Sequence, residues 1–229
     1  MANDVDVVII GAGSAGLSAA KAAAASGLTF TVIMPDGAPF DLGCHWMHSA
    51  SLNPFVAIAD QHGFSYRKDN EWNQPIHNAG SWIGEDERAA VQALSEANDK
   101  AIAAAAAQGR DCAVADVVDL EDPWAAFHAY WFSLGVSRDI DQSGVVDVCA
   151  YNDTNENWPV TEGYGALVAA WAADVPVTLN APVKRIRLTA GGVEVVTSQG
   201  TIKGRTALVT VSSNVLSSGR ILFEPGLPD

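Results

Sequence analysis

Residues 5–16 read VDVVIIGAGSAG, and few folds satisfy such a stretch. The apolar run from Val5 to Ile10 has the composition of a strand buried on both faces, as in a parallel sheet. It runs directly into Gly11-Ala12-Gly13-Ser14-Ala15-Gly16, and a helical Ala/Leu/Lys pattern follows from Leu17 to Ala25. In this order strand, glycine turn and helix start make a phosphate cradle. Gly11 allows the tight turn, Gly13 lets backbone approach a phosphate, and Gly16 lets the helix pack close to the strand. The free N–H groups and positive dipole end of the helix favour an anion there. The stretch therefore points to a dinucleotide diphosphate, against the bland alternative of a glycine-rich turn.

A second buried strand is expected over Leu28–Met34, after the turn at Ser26-Gly27, which completes a βαβ unit. Residues 35–52 read as loop. Asn53-Pro54 opens a short helix to about Gln61, with proline in the first turn. Glu85–Gln108 is a strong helix former with acids in its first turn, and a further helix is expected over Trp124–Leu134. Thr161–Ala173 reads as helix. Short strands are expected at Val175–Leu179, Val183–Leu188, Val193–Thr197, Thr201–Lys203 and Ala207–Val211, with turns at Gly191-Gly192 and Gln199-Gly200. The expectation is an α/β fold: a Rossmann-like dinucleotide-binding domain of parallel sheet plus β-meander, built from 1–65 and 152–229, with a helical insertion at 66–151.

Composition narrows the partners. Of 229 residues, 27 are acidic and 13 basic, for a net charge of −14, so no basic patch is on offer to nucleic acid. The charge suits steering of a cationic substrate as well as simple solubility. No apolar run approaches the roughly 20 residues of a membrane span. The start, MANDVD, has acids where a secretory leader would be basic. The three cysteines, Cys44, Cys112 and Cys149, are scattered and suggest neither disulfides nor a zinc site. Glu85-Asp86-Glu87 and Asp119–Asp122 read as solvated helix-end charges, and no metal site is expected. On these features a cytoplasmic chain is expected.

Five segments in order resemble the flavin-containing amine oxidases, the family of monoamine and polyamine oxidases. They are VVIIGAGSAGLSAA at the start, FDLGCHWMHSASLNPFVAIADQHG at 40–63, WPVTEGYGALVAAWA at 158–172, LNAPVKRIRL at 179–188 and ALVTVSSNVLSSGRILFEPGLPD at 207–229. The middle, about 66–150, carries little signature. The resemblance implies FAD as cofactor and a small-molecule amine as substrate. A C–H bond beside the amine nitrogen would give its hydride to the flavin, with dioxygen as acceptor and hydrogen peroxide as product. It also implies that the helical insertion is part of a substrate domain. By position, Gly11, Gly13, Ser14, Ala15 and Gly16 would hold the FAD diphosphate. Gly43, Trp46 and Met47 would pass near the flavin ring, Val183 would contact the adenine through its backbone, and Ser212 would approach FAD from the strand end Thr210-Val211-Ser212. His45 and His48 are the candidate catalytic groups, since a histidine can hold an amine or accept a proton near neutral pH. The competing reading is that one caps a loop or is a satisfied buried histidine. Tyr164 and Trp158 suit either an aromatic cage for an amine or core packing. Tyr130 and Trp131 are expected in the core, and Cys44 suits either flavin attachment or a small buried apolar position.

Three departures from the family pattern bear on function. Where the family places a ribose-binding Glu, about 18 residues past Gly16, this chain has Met34, with Asp36 the nearest acid. The following Gly-Gly-Arg segment, whose Arg neutralises the diphosphate, is absent. The chain also ends about halfway along the family's length, before the lysine near the flavin and the last FAD-binding segment. These departures imply a second polypeptide that completes the fold. The alternatives are a non-catalytic, degenerate oxidase scaffold that binds a partner or nucleotide, and an NAD-binding dehydrogenase domain, which the missing ribose acid and flavin-like downstream motifs disfavour.

Overall fold

A computed structural model of the chain describes residues 5–34, 45–68 and 75–228. The elements run β1 (Val5–Ile10), α1 (Ser14–Ala25), β2 (Phe30–Ile33), β3 (Trp46–Met47), α2 (Pro54–His62), β4 (His77–Asn78), β5 (Ser81–Trp82), α3 (Glu85–Ala107), α4 (Ala125–Val136), α5 (Val145–Ala150), β6 (Trp158–Pro159), α6 (Tyr164–Trp171), β7 (Val177–Thr178), β8 (Val183–Thr189), β9 (Gly192–Thr197), β10 (Gly200–Val209), α7 (Ser213–Ser217) and β11 (Leu222–Glu224). They divide into two compact units, Met1–Lys68 with Glu156–Asp229, and Asp69–Asn155.

The first unit is built on a seven-stranded sheet of order β11-β8-β9-β10-β1-β2-β7. Its centre is parallel, with β1 pairing β10 on one side and β2 on the other. The β8-β9-β10 meander is antiparallel. Val8 and Ile10 of β1 enter one apolar cluster with Ile33, Ile186 and Val195, whereas Ile9 enters another with Ala20 and Val32. Strand alternation thus buries both faces of β1, which explains why its sequence is apolar without a break. Helix α1 turns Leu17, Ala20 and Ala23 inward at helical spacing.

Residues 200–209 form one ten-residue strand, where the sequence reads as two. Gly204 is the joint: it pairs with Val193 of β9 and with Val5 of β1. A Cβ there would lie 2.9 Å from a Val8 methyl, so the strand changes partners where it has no side chain. The register of the meander brings opposed charges face to face. Glu224, Arg187, Glu194 and Lys203 sit directly opposite one another on β11, β8, β9 and β10. Arg187 and Lys203 both pair with Glu194, and Arg187 holds the Glu194 carboxyl below its ordinary range. Exposed pairs contribute little energy, but a one-residue slip would juxtapose wrong faces along the whole strand. Asp6 ties β1 to its neighbours by accepting from the Thr29 N–H (2.9 Å), the Thr29 hydroxyl (2.8 Å) and Arg205 (2.9 Å).

The second unit is helical. The expected helices at 85–108 and 124–134 are present as α3 and α4; α5 and a short 3-10 turn at Val114–Asp116 are additions that the sequence pattern does not announce. Tyr130 and Trp131 are 60% and 41% exposed, so they are not the core residues that their aromatic character suggested. The apolar cluster forms instead from Ile102, Ala105, Val114 and Val145. Asn98 and His128 are buried together. Asn98 Oδ1 accepts the Asp119 N–H (3.0 Å), which turns its amide nitrogen toward His128 Nδ1 (3.3 Å). His128 Nδ1 must accept there, so the folded unit requires a neutral imidazole.

Burial holds the His128 imidazole below its ordinary value, against the opposing pull of Asp99. The unfolded chain takes up this proton near pH 6.5, where histidine ordinarily titrates, while the folded chain resists it. Stability from this group is therefore present above that pH and declines as pH falls below it. Melting temperatures between about pH 8 and pH 5 are expected to fall with acidity in the native chain. His128→Asn, which keeps an acceptor but cannot titrate, is expected to flatten that slope.

Candidate functional site

At the carboxyl edge of the parallel strands, β1 ends in the glycine turn. Gly11 donates to Ile33 O (2.9 Å) and adopts φ +114°, a conformation that only glycine takes without strain. Gly16 lies against the turn so closely that a Cβ would be 2.0 Å from Gly11 O. Gly13 differs. Its backbone is extended (φ −78°, ψ −175°), and a Cβ built on it would meet none of the described residues within 4 Å. Gly13 and Ala15 are exposed, Ser14 is half-buried, and Gly16 and Leu17 are buried. No side chain caps α1 and no acid stands in its first turn. The twelve-residue helix thus presents its positive end at an open, backbone-lined surface.

Two further segments flank this surface. The Met34 N–H donates to Thr178 O (3.0 Å), and Ala181 donates to Met34 O (3.1 Å). The end of β2 is therefore bound to the loop that leads into Val183, the first residue of β8. Thr210, just past β10, donates its hydroxyl to Ile10 O (3.1 Å) and lies 3.4 Å from Gly11 O. Ser212 of the same strand end caps α7, its hydroxyl accepting the Val215 N–H.

The histidine-rich segment follows the β3–β6 pairing, in which Trp46 opposes Pro159 and Met47 opposes Trp158. His45 stands edge-on to Trp46, ring centroids 4.9 Å apart. His48 pairs with Asn157 Oδ1 (2.5 Å), and its carbonyl accepts from Asn53 Nδ2 (3.0 Å). His48 therefore fastens the loop, as the competing reading of the two histidines expects of one of them. Trp46 and His45 are exposed, whereas Met47 is fully buried beside Leu17 and Leu167. Alternation along β3 sends the Met47 side chain into the core, so any approach of this residue to a flavin ring would be through its backbone. Tyr164 is also core, 5.4 Å from Phe55. Trp158 stacks on Tyr66 with Lys68 Nζ 4.7 Å above it, so the chain's own cation takes that ring. Asp36, Gly43 and Cys44 lie outside the described residues. Among the described residues, no group of His, Cys, Asp and Glu is placed to hold a metal ion.

Comparison with known proteins adds family and fold. The family described as flavin containing amine oxidoreductase matches residues 70–229, which includes the middle region that carried little signature by eye. A double mutant of putrescine oxidase, from a redesign of its cofactor binding, is similar in structure (TM-score 0.68, 18% identity over 99% of this chain and 62% of that one). Wild-type putrescine oxidase bound to putrescine (0.61, 18%, 98% and 61%) and cyclohexylamine oxidase from Brevibacterium oxydans IH-35A (0.65, 18%, 98% and 61%) are also similar. The chain spans about three fifths of these structures rather than half. No curated protein sequence matches it.

The two glycines are expected to respond to substitution with costs of different size. Gly16→Ala drives a methyl into backbone and should cost about 3 kcal/mol or more. Gly13→Ala should cost under about 1 kcal/mol, the usual range for a helix cap position. Urea denaturation of both variants measures the difference.

Proposed function

The chain belongs to the flavin containing amine oxidoreductase family, and on that premise we propose that it is the FAD-holding part of an amine oxidase. The cofactor that the family implies is FAD. The observation that carries the proposal is the turn: a cradle whose inner glycines tolerate no Cβ, and, among the described residues, whose outer glycine meets no neighbour and whose helix has no side-chain cap. Such a surface fits a diphosphate.

In this reading the Gly13–Gly16 backbone would bind the diphosphate, with Ser14 and Ala15 at its rim. Val183 and the loop bound to Met34 would line the adenosine side. Trp46 and His45, both exposed, would face the flavin ring, and His45 would serve the amine. The chemistry that a bound FAD supplies is acceptance of a hydride from the carbon beside the amine nitrogen. Dioxygen is the proposed acceptor, with peroxide as product. The discontinuous unit of β1 to α2 and β6 to β11 is proposed as the FAD-binding domain, and the helical unit as part of a substrate domain.

A further polypeptide is proposed to supply the remaining two fifths of the oxidase fold. An apolar groove of about 430 Å³ supports this, lined by Ile186, Leu188, Val209, Phe223 and Leu227. No helix among the described residues is long and apolar enough to cross a membrane. The unpaired Cys112 and Cys149 support a cytoplasmic location. Met34 favours a second reading, a nucleotide-binding scaffold without turnover, because a thioether replaces the carboxylate that would hold a ribose.

Titration of the purified chain with FAD, followed by flavin absorbance near about 450 nm, tests the proposal. Retained flavin is expected; a chain that stays colourless at saturating FAD overturns it. Gly13→Val should weaken FAD binding by about tenfold or more, with the fold intact, because it fills the space a phosphate needs. Flavin binding without peroxide from any amine, even in the presence of the completing polypeptide, would favour the scaffold reading.

A further inference from the structure

We propose that Thr210 is a positioning residue for the diphosphate turn, and that its hydroxyl, not its bulk, is what the turn requires. The inference rests on the FAD reading of that turn. Thr210 follows β10, almost two hundred residues from the turn in sequence, yet its hydroxyl meets both carbonyls at the end of β1: Ile10 O at 3.1 Å and Gly11 O at 3.4 Å.

Those carbonyls set the direction of the N–H groups that follow. A trans peptide is planar, so a carbonyl and the next N–H point opposite ways. Ile10 O accepts from the Thr210 N–H (2.9 Å), and the Gly11 N–H accordingly points to the other side, where it meets Ile33 O (2.9 Å). By the same geometry, Gly11 O drawn toward Thr210 sends the Ala12 N–H away from β10. Gly11 O also underlies the helix: a Cβ on Gly16 would lie 2.0 Å from it and 2.9 Å from Thr210 Oγ1. The Gly11 peptide is thus held between the Thr210 hydroxyl and the first turn of α1. Without the hydroxyl, Ile10 O keeps its backbone partner, so the sheet ladder survives. Gly11 O loses its share of the Thr210 O–H, which lies between the two carbonyls, and the peptide that aims the turn is free to tilt.

Two near-isosteric replacements separate hydroxyl from bulk. Thr210→Val keeps the shape and removes the donor; Thr210→Ser keeps the donor and removes the methyl. Thr210→Val is expected to bind FAD about tenfold more weakly, the upper range for one uncharged hydrogen bond. It should lose the same factor toward ADP, used as a diphosphate probe, with its urea midpoint close to that of the native chain. Thr210→Ser is expected to stay within about twofold of native affinity. Native FAD affinity in Thr210→Val, or an equal loss in Thr210→Ser, overturns the positioning role alone. Absence of FAD binding by the native chain overturns the functional reading and this inference with it.

Discussion

The contact between Gly16 and the Gly11 carbonyl is the constraint on which the first unit depends. The helix can lie this close to the strand that feeds it only because residue 16 carries no side chain. That approach lets Ala20 pack with Ile9 and Val32 of the sheet, and it leaves the outer residues of the turn, Gly13 and Ala15, at the surface. β1 in turn is held rigidly because it pairs on both sides and is buried on both faces. An anion site formed of backbone needs such a frame, since peptide dipoles act only along the directions in which they are fixed.

Charge is distributed so that this frame keeps its positive end. The chain carries a net −14, yet no acid stands in the first turn of α1. At physiological ionic strength charges beyond about 8 Å are largely screened, so the local arrangement decides whether an anion is favoured. Lys21, Arg185, Arg187, Lys203 and Arg205 are each engaged by a carboxylate, in pairs that join strands or helices. These basic side chains are committed to partners within the fold. In the proposed FAD reading the diphosphate would be left to the helix dipole and the turn's backbone.

Much of the frame was legible in the sequence. β1, α1, β2, α2 and the long α3 follow from uninterrupted apolar runs, helical spacing and cap residues such as Asn53, whose side chain accepts the Phe55 N–H. The site was legible where glycine is required by geometry. It was less so where side chains are shared between core and surface. Met47 sits among site residues yet belongs to the core, and Tyr130 and Trp131 are apolar in type yet exposed. His128 carries no signal at all in sequence, because its partner Asn98 and the Asp119 N–H come from other segments.

The sequence by itself determined the strand–turn–helix unit, the family, and the positions at which glycine is compelled, because these depend on local sterics and on patterns within a few residues. Only the tertiary structure decided which polar groups meet. Thr210 came under the Gly11 peptide, His48 onto Asn157 and Glu194 between two cations through sheet order and strand register. Those are set by packing of the whole unit, and residues far apart in the chain carry no local mark of them.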